Sequence, residues 1–136
     1  MKLSGGCLCG AVRFVADEVE TDHHACHCGM CRRRSGGAPF FAAHTREVTF
    51  EGSEHLVRFA SSAWAERGFC RTCGANLFYF LRPTATHMMS VGAFDDPTPF
   101  RLVREICVDR KPEGYALAGD HPRWSEAEAF ARLSPP

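Results

Sequence analysis

The chain of 136 residues has no surplus of either charge, since 16 Lys and Arg balance 16 Asp and Glu. Binding to a phosphate backbone is driven by a basic excess that displaces counterions. The neutral balance therefore argues against nucleic acid as a main partner and leaves room only for a local basic patch. Long apolar runs are also missing. None approaches the roughly 20 residues that a membrane span requires, so no membrane partner is expected. Only Met1, Lys2 and Leu3 precede Ser4, which is too short for the apolar segment of a signal peptide. A cytoplasmic chain is the resulting expectation. Helical periodicity and whole-chain repeats are scarce as well. What remains fits a single domain over residues 1–136, long enough to bury its own core.

Cysteine, by contrast, is abundant and clustered. Seven of the eight cysteines fall into three groups: Cys7-x-Cys9, Cys26-x-Cys28-x-x-Cys31 and Cys70-x-x-Cys73. A reducing compartment keeps thiols free, so such clusters point to metal binding or catalysis rather than to a disulfide framework.

Between and after the clusters the chain alternates as strands do. Residues 11–16 place Val12 and Phe14 on one face, and 39–44 is an apolar run suited to a buried strand. Residues 46–51 and 54–60 alternate, with Gly52-Ser53 as the turn between them. Further strands are expected over 64–69, 76–81, 86–94 and 100–109, with loops at 95–99 and 111–123. Residues 30–35 suit a short helical turn stopped by Gly36-Gly37. Residues 125–133 read as the one longer helix, with Ser125 as its N-cap and Glu126 and Glu128 in the first turn. The fold class is mainly β: folded antiparallel sheets with a short C-terminal helix.

The two outer pairs share a local echo, Cys9-Gly10-Ala11 and Cys73-Gly74-Ala75. A glycine after the second cysteine lets the backbone turn tightly and aim N–H groups at the sulfurs. Two such knuckles facing each other supply four thiolates, the closed arrangement of a structural zinc site. Each leads into a strand, so zinc would pin the starts of two distant strands and its binding would be coupled to folding. The competing readings are disulfides, unpaired core thiols, or a redox Cys70-x-x-Cys73. The last calls for a βα setting, and a strand follows instead.

Cys26, Cys28 and Cys31 offer three sulfurs within six residues. Three protein ligands with one position left over is the pattern of a catalytic zinc. Three thiolates give the unit a net charge of about −1. They also donate enough charge to make the metal a poor activator of water or carbonyls. Such a centre suits capture of an external thiol as thiolate. Arg32, Arg33 and Arg34 follow directly, either as a countercharge and carboxylate-binding group or as a solvated turn. The alternative is a second closed site with His23, His24 or His27 as fourth ligand. His27 lies between two ligands and is expected to point away from their metal, so His23 and His24 are better placed. Cys107 reads as a half-buried thiol in a strand. His44, His55, His87 and His121 have no ligand partner nearby in sequence, and Phe40, Phe41, Phe78, Tyr79 and Phe80 read mainly as core.

Taken in order, Gly6-Cys7-Leu8-Cys9-Gly10-Ala11-Val12-Arg13-Phe14, Cys26-His27-Cys28-x-x-Cys31-Arg32 and Phe69-Cys70-x-x-Cys73-Gly74 resemble the glutathione-dependent formaldehyde-activating enzyme family, which includes centromere protein V-like proteins. The resemblance implies a β-tent fold. It implies a structural zinc on Cys7, Cys9, Cys70 and Cys73, and a second, catalytic and more labile zinc on Cys26, Cys28 and Cys31, its fourth position open to a thiol. The implied activity is carbon–sulfur lyase chemistry that forms or cleaves S-(hydroxymethyl)glutathione, with glutathione as the small-molecule partner. After the last strand the family shows Ser-Lys-x-x-Trp, whereas this chain has Asp109-Arg110-Lys111-Pro112-Glu113-Gly114-Tyr115 and no Trp. The expected function is thus a zinc-dependent carbon–sulfur lyase. The alternative is a non-catalytic zinc module for interaction or redox sensing.

Overall fold

A computed structural model describes residues 1–133. Its strands assort into two sheets. The smaller has the order β1 (Leu3–Gly6), β2 (Arg13–Ala16), β5 (Val48–Glu51). The larger runs β10 (Arg101–Ile106), β3 (Asp22–Cys26), β4 (Phe40–His44), β9 (Thr86–Ser90), β8 (Asn76–Leu81), β7 (Ala65–Cys70), β6 (Leu56–Ala60). Two helices complete it, α1 (Gly29–Arg34) and α2 (Glu126–Leu133). Among the described residues no helix is long and apolar enough to cross a membrane.

The mainly β fold class holds, with one departure from antiparallel pairing: β10 runs parallel to β3. The cause is a crossover. After β9 the chain passes over the small sheet, where Phe94 bridges Gly5 and the Asp95 N–H donates to the Ser4 carbonyl. It then re-enters the large sheet on the far side of β4 and β3, running the same way as β9 and therefore as β3. Crossing in this manner is what a parallel pairing requires.

The core lies between the sheets. Alternation in β2 turns Phe14 and Ala16 inward and leaves Val15 exposed. Phe14 meets Leu77, Phe78 and Met89 of the large sheet in one apolar cluster. The Phe94 ring packs on it edge to face at 5.2 Å and 87°. Burial of a side chain of this size contributes roughly 2–3 kcal/mol. At the other end of the chain, α2 opens on a capping box. The Glu128 N–H donates to Ser125 Oγ at 3.2 Å and the Ser125 N–H donates to Glu128 Oε1 at 3.0 Å.

The stretches 46–51 and 54–60 contain β5 and β6, but these strands do not pair with each other. β5 joins β2 and β6 joins β7. Gly52 and the 3-10 turn Ser53–His55 hand the chain from one sheet to the other. The alternating pattern sets which side chains face inward, and it leaves the choice of pairing partner to tertiary packing. Gly52 adopts φ 75°, and a Cβ there would lie 1.9 Å from the Ala11 carbonyl oxygen. Gly52→Ala is expected to lower stability by about 2 kcal/mol or more, through left-handed strain plus backbone displacement. Urea unfolding of the metal-loaded protein measures this, and an unchanged midpoint would refute the assigned role.

Candidate metal centres

The first cluster forms where two turns meet. Cys7 and Cys9 lie in the turn after β1, which Gly10 permits at φ 82°. Cys70 ends β7 and Cys73 sits in the following turn, which Gly74 permits at φ 76°. The four sulfurs all lie within 4.8 Å of one another. Cys7 Sγ is 3.7 Å from Cys9 Sγ, which is 3.8 Å from Cys70 Sγ. A tetrahedral zinc with Zn–S bonds of about 2.3 Å places its sulfurs about 3.8 Å apart, so the donor set fits that ion. Backbone N–H groups supply the surrounding dipoles. Val12 donates to Cys7 Sγ at 3.3 Å, and Thr72 and Cys73 donate to Cys70 Sγ at 3.3 and 3.5 Å. The Cys73 thiol is drawn down to about 6, first by the Ala75 N–H and then by that of Cys9. Each of these effects favours the thiolate, the form that binds metal.

Cys26, Cys28 and Cys31 form the second cluster, their sulfurs likewise within 4.8 Å of one another. Cys26 is the last residue of β3. Cys28 caps α1, with its Sγ accepting from the Cys31 N–H at 3.4 Å, and Cys31 lies buried in the helix. The three thiols divide their protons unevenly. Cys28 is held far below the usual thiol range by hydrogen bonds from Cys26 and then Cys31, whereas Cys26 and Cys31 are pushed up.

No histidine completes this second set. His23 packs edge-on against Phe41 and Phe100, and His24 lies against His44. Burial drives the His24 imidazole down to about 3, so it is neutral, yet it sits apart from the three sulfurs. His27 points away, as its position between two ligands predicts. Its ring is fully buried, with Nδ1 2.8 Å from the Tyr115 hydroxyl and Nε2 2.7 Å from Glu105 Oε1. The second oxygen of Glu105 takes His121 Nε2 and, at 3.0 Å, Arg123 Nε. Burial alone would raise the Glu105 carboxyl, but hydrogen bonds from His121 and His27 and the charge of Arg123 hold it below its usual range.

This network, along with Arg67, was missed in the sequence. The one available signal is a charged residue at an inward strand position. Arg67 follows Ala65 on the buried face of β7 and Glu105 is buried in β10. His121 and Arg123 reach Glu105 because residues 122–124, the first two expected as loop, run alongside β10 and exchange backbone hydrogen bonds with it. Tyr115 stands in the segment where the resemblance departs, and it packs its ring on that of His27.

The three arginines differ in role. Arg32 donates to the His27 carbonyl and Arg34 to the Gly68 carbonyl while lying over the Phe69 ring, whereas Arg33 is exposed. Cys107 corrects the reading of a strand thiol. β10 ends at Ile106, and Cys107 adopts φ 57° and is buried in the apolar cluster around Cys26 and Cys31. It lies in one cluster with Cys26 and is the leading cause of that residue's raised pKa.

Fold and clusters together define a class: a β protein with one four-cysteine and one three-cysteine candidate metal centre. Residues 2–110 match the model of the family described as glutathione-dependent formaldehyde-activating enzyme. The chain belongs to that family. A Schizosaccharomyces pombe protein named as an uncharacterized lyase is 30% identical over 116 residues, 84% of each chain. A Halomonas elongata protein, named provisionally as a glutathione-dependent formaldehyde-activating enzyme, is 27% identical over 95% of this chain and 83% of its own. The crystal structure of a Rhodobacter sphaeroides protein superposes with a TM-score of 0.59 at 25% identity, covering 89% of this chain and 99% of that one.

Glu105→Gln leaves His27, His121 and Arg123 facing a neutral amide. The loss is expected to cost about 3 kcal/mol, as for breaking a buried ion pair. That lowers the melting temperature of the zinc-loaded protein by about 10 °C for a chain of this length. Differential scanning calorimetry of both proteins checks it, and a shift under about 2 °C would contradict a buried, charge-paired Glu105.

Proposed function

We propose that this chain is a zinc-dependent carbon–sulfur lyase that forms or cleaves the adduct of a thiol with an aldehyde, with S-(hydroxymethyl)glutathione as the model substrate. The observation that carries the reading is the contrast between a complete four-sulfur cluster and a three-sulfur cluster that no further His, Cys, Asp or Glu joins among the described residues. Family membership and the lyase name of a relative support the same class. In this reading Cys7, Cys9, Cys70 and Cys73 hold a structural zinc, and Cys26, Cys28 and Cys31 hold a catalytic one. The domain extends over residues 1–136.

When bound at the three-sulfur cluster, zinc supplies a Lewis acid that keeps an incoming thiol as thiolate at neutral pH. The protein's own part is positional. Cys26 is fixed by β3, Cys28 and Cys31 by the cap and first turn of α1, and the loop between them by the contacts of His27. Such preorganisation holds thiolate and carbonyl carbon within reach of each other. In the forward direction the thiol gives up its proton and its sulfur electron pair forms the C–S bond. The carbonyl π pair moves to oxygen, which takes up a proton. The reverse reaction returns thiol and aldehyde. Nothing is oxidised or reduced, so no electron carrier is needed.

Two measurements test the reading. Cobalt-substituted protein should change its thiolate-to-metal charge-transfer and d–d bands when glutathione is added, as an external thiol enters the shell. No spectral change, together with no turnover across several thiol–aldehyde pairs, would favour a non-catalytic zinc module. Cys28→Ser should abolish turnover while leaving the folded circular dichroism spectrum and one bound zinc. Cys73→Ser should unfold the chain, because a structural zinc contributes directly to folding. Equal unfolding of both variants would contradict the division of roles.

A further inference from the structure

Arg67 is a charged side chain in an unusual place. It lies in the middle of β7, between the strands β6 and β8, and is only 5% exposed. Arginine is almost never this buried unless paired, yet no carboxylate pairs with it among the described residues. Its guanidinium instead turns to the three-sulfur cluster, with Nη1 and Nη2 each 3.6 Å from Cys31 Sγ. The Tyr79 ring lies under it, 4.9 Å from guanidinium carbon to centroid. Nε is buried and has no hydrogen-bond partner. The fork is thus aimed at one sulfur and clamped by a ring, at the cost of one unsatisfied donor. Once a metal displaces the thiol protons, this geometry favours a thiolate at Cys31, because a neutral thiol gives a guanidinium little to bind.

Charge counting shows what such a cation does. With the zinc chemistry proposed above, three cysteine thiolates leave the centre at about −1, and a substrate thiolate takes it to about −2. A second negative charge in a partly buried site is strongly disfavoured unless a cation lies close. Arg32 and Arg34 are engaged with backbone carbonyls, those of His27 and Gly68, and the His27 ring is tied to Glu105. Arg67 is the only side-chain cation within hydrogen-bond reach of a sulfur of the cluster among the described residues.

We propose that Arg67 is a positioning residue for the substrate thiol: its buried guanidinium, bound to Cys31, supplies the countercharge that lets a fourth, external sulfur join the cluster as thiolate. Arg67 acts through Cys31 and leaves the incoming sulfur free to form its bond to carbon. The substrate class that this device selects is an anionic sulfur donor over a neutral ligand of similar size.

The inference rests on the zinc–thiol reading, and the experiment separates the two. Cobalt-loaded wild type, Arg67→Gln and Arg67→Lys are titrated with glutathione and with imidazole across pH 6–9, reading the charge-transfer bands. An opposite charge within a few ångströms shifts an ionisation by about 1–3 pH units. R67Q should therefore bind glutathione at least about tenfold more weakly, with its pH midpoint for thiol entry moved up. R67K, which keeps the charge, should recover most of that loss. Imidazole, being neutral, should bind all three proteins alike. Glutathione affinity in R67Q within about twofold of wild type at every pH overturns the inference and leaves the zinc–thiol reading standing. Wild type that takes up no thiol overturns both. If R67Q does not fold, R67M carries the neutral arm by filling the buried space without an unpaired amide. If neither neutral variant holds cobalt in the central cluster, Arg67 is a structural residue and the inference fails.

Discussion

The structure depends on the convergence of four sulfurs from two turns 61 residues apart in sequence, from Cys9 to Cys70. One turn belongs to the small sheet and the other to the large sheet, so the cluster fixes how the two sheets face each other. The core cluster that includes Phe14, Phe78 and Met89 also contains Cys7 and Cys70. Apolar burial and sulfur convergence therefore stabilise the same junction. A metal held there stabilises the fold by its binding free energy, because the unfolded chain has no preformed site.

The same junction positions the second cluster. β7 ends on Cys70, and three residues earlier it carries Arg67, whose guanidinium reaches Cys31. β8 starts after Cys73 and carries Asn76, which donates to the Arg34 carbonyl near the end of α1. Both strands that leave the four-sulfur cluster thus contact the helix that holds the three-sulfur one. A shift of β7 at its anchored end would move the cation relative to the sulfurs. The proposed division between a structural and a reactive centre is therefore also a dependence of one cluster on the other.

What could be read from the sequence follows the range of each interaction. Metal-ligand spacing is local, so Cys7-x-Cys9, Cys26-x-Cys28-x-x-Cys31 and Cys70-x-x-Cys73 were visible, and the structure brings together the sulfurs expected to meet. Strand alternation is local too, and residues 76–81 form β8 as expected. Pairing is not local. The apparent hairpin around Gly52 divides between two sheets, and β10 crosses to pair in parallel with β3. The least legible feature was the polar network. Glu105 needs His27 from 78 residues earlier and His121 from 16 residues later, and no spacing rule connects them. Tyr115 lies in a stretch that departs from the family's pattern, and only the fold brings it back to His27.

That network also explains why the central cluster stops at three ligands. His27 is adjacent in sequence to two of its cysteines, and a neutral imidazole is a good zinc ligand. Its Nε2 is tied to the buried carboxylate of Glu105 and its Nδ1 to Tyr115, while its carbonyl accepts from Arg32. Turning the ring toward the sulfurs would leave the buried Oε1 of Glu105 without its partner, a desolvation cost that the remaining contacts of Oε2 with His121 and Arg123 do not recover. Cys107, the nearest spare thiol, is fixed in a left-handed turn beside Cys26 and does not join the other three. Each residue able to close the set is thus committed elsewhere by contacts the fold supplies. A three-sulfur set held open this way suits the proposed capture of an external sulfur, since neither His27 nor Cys107 joins it.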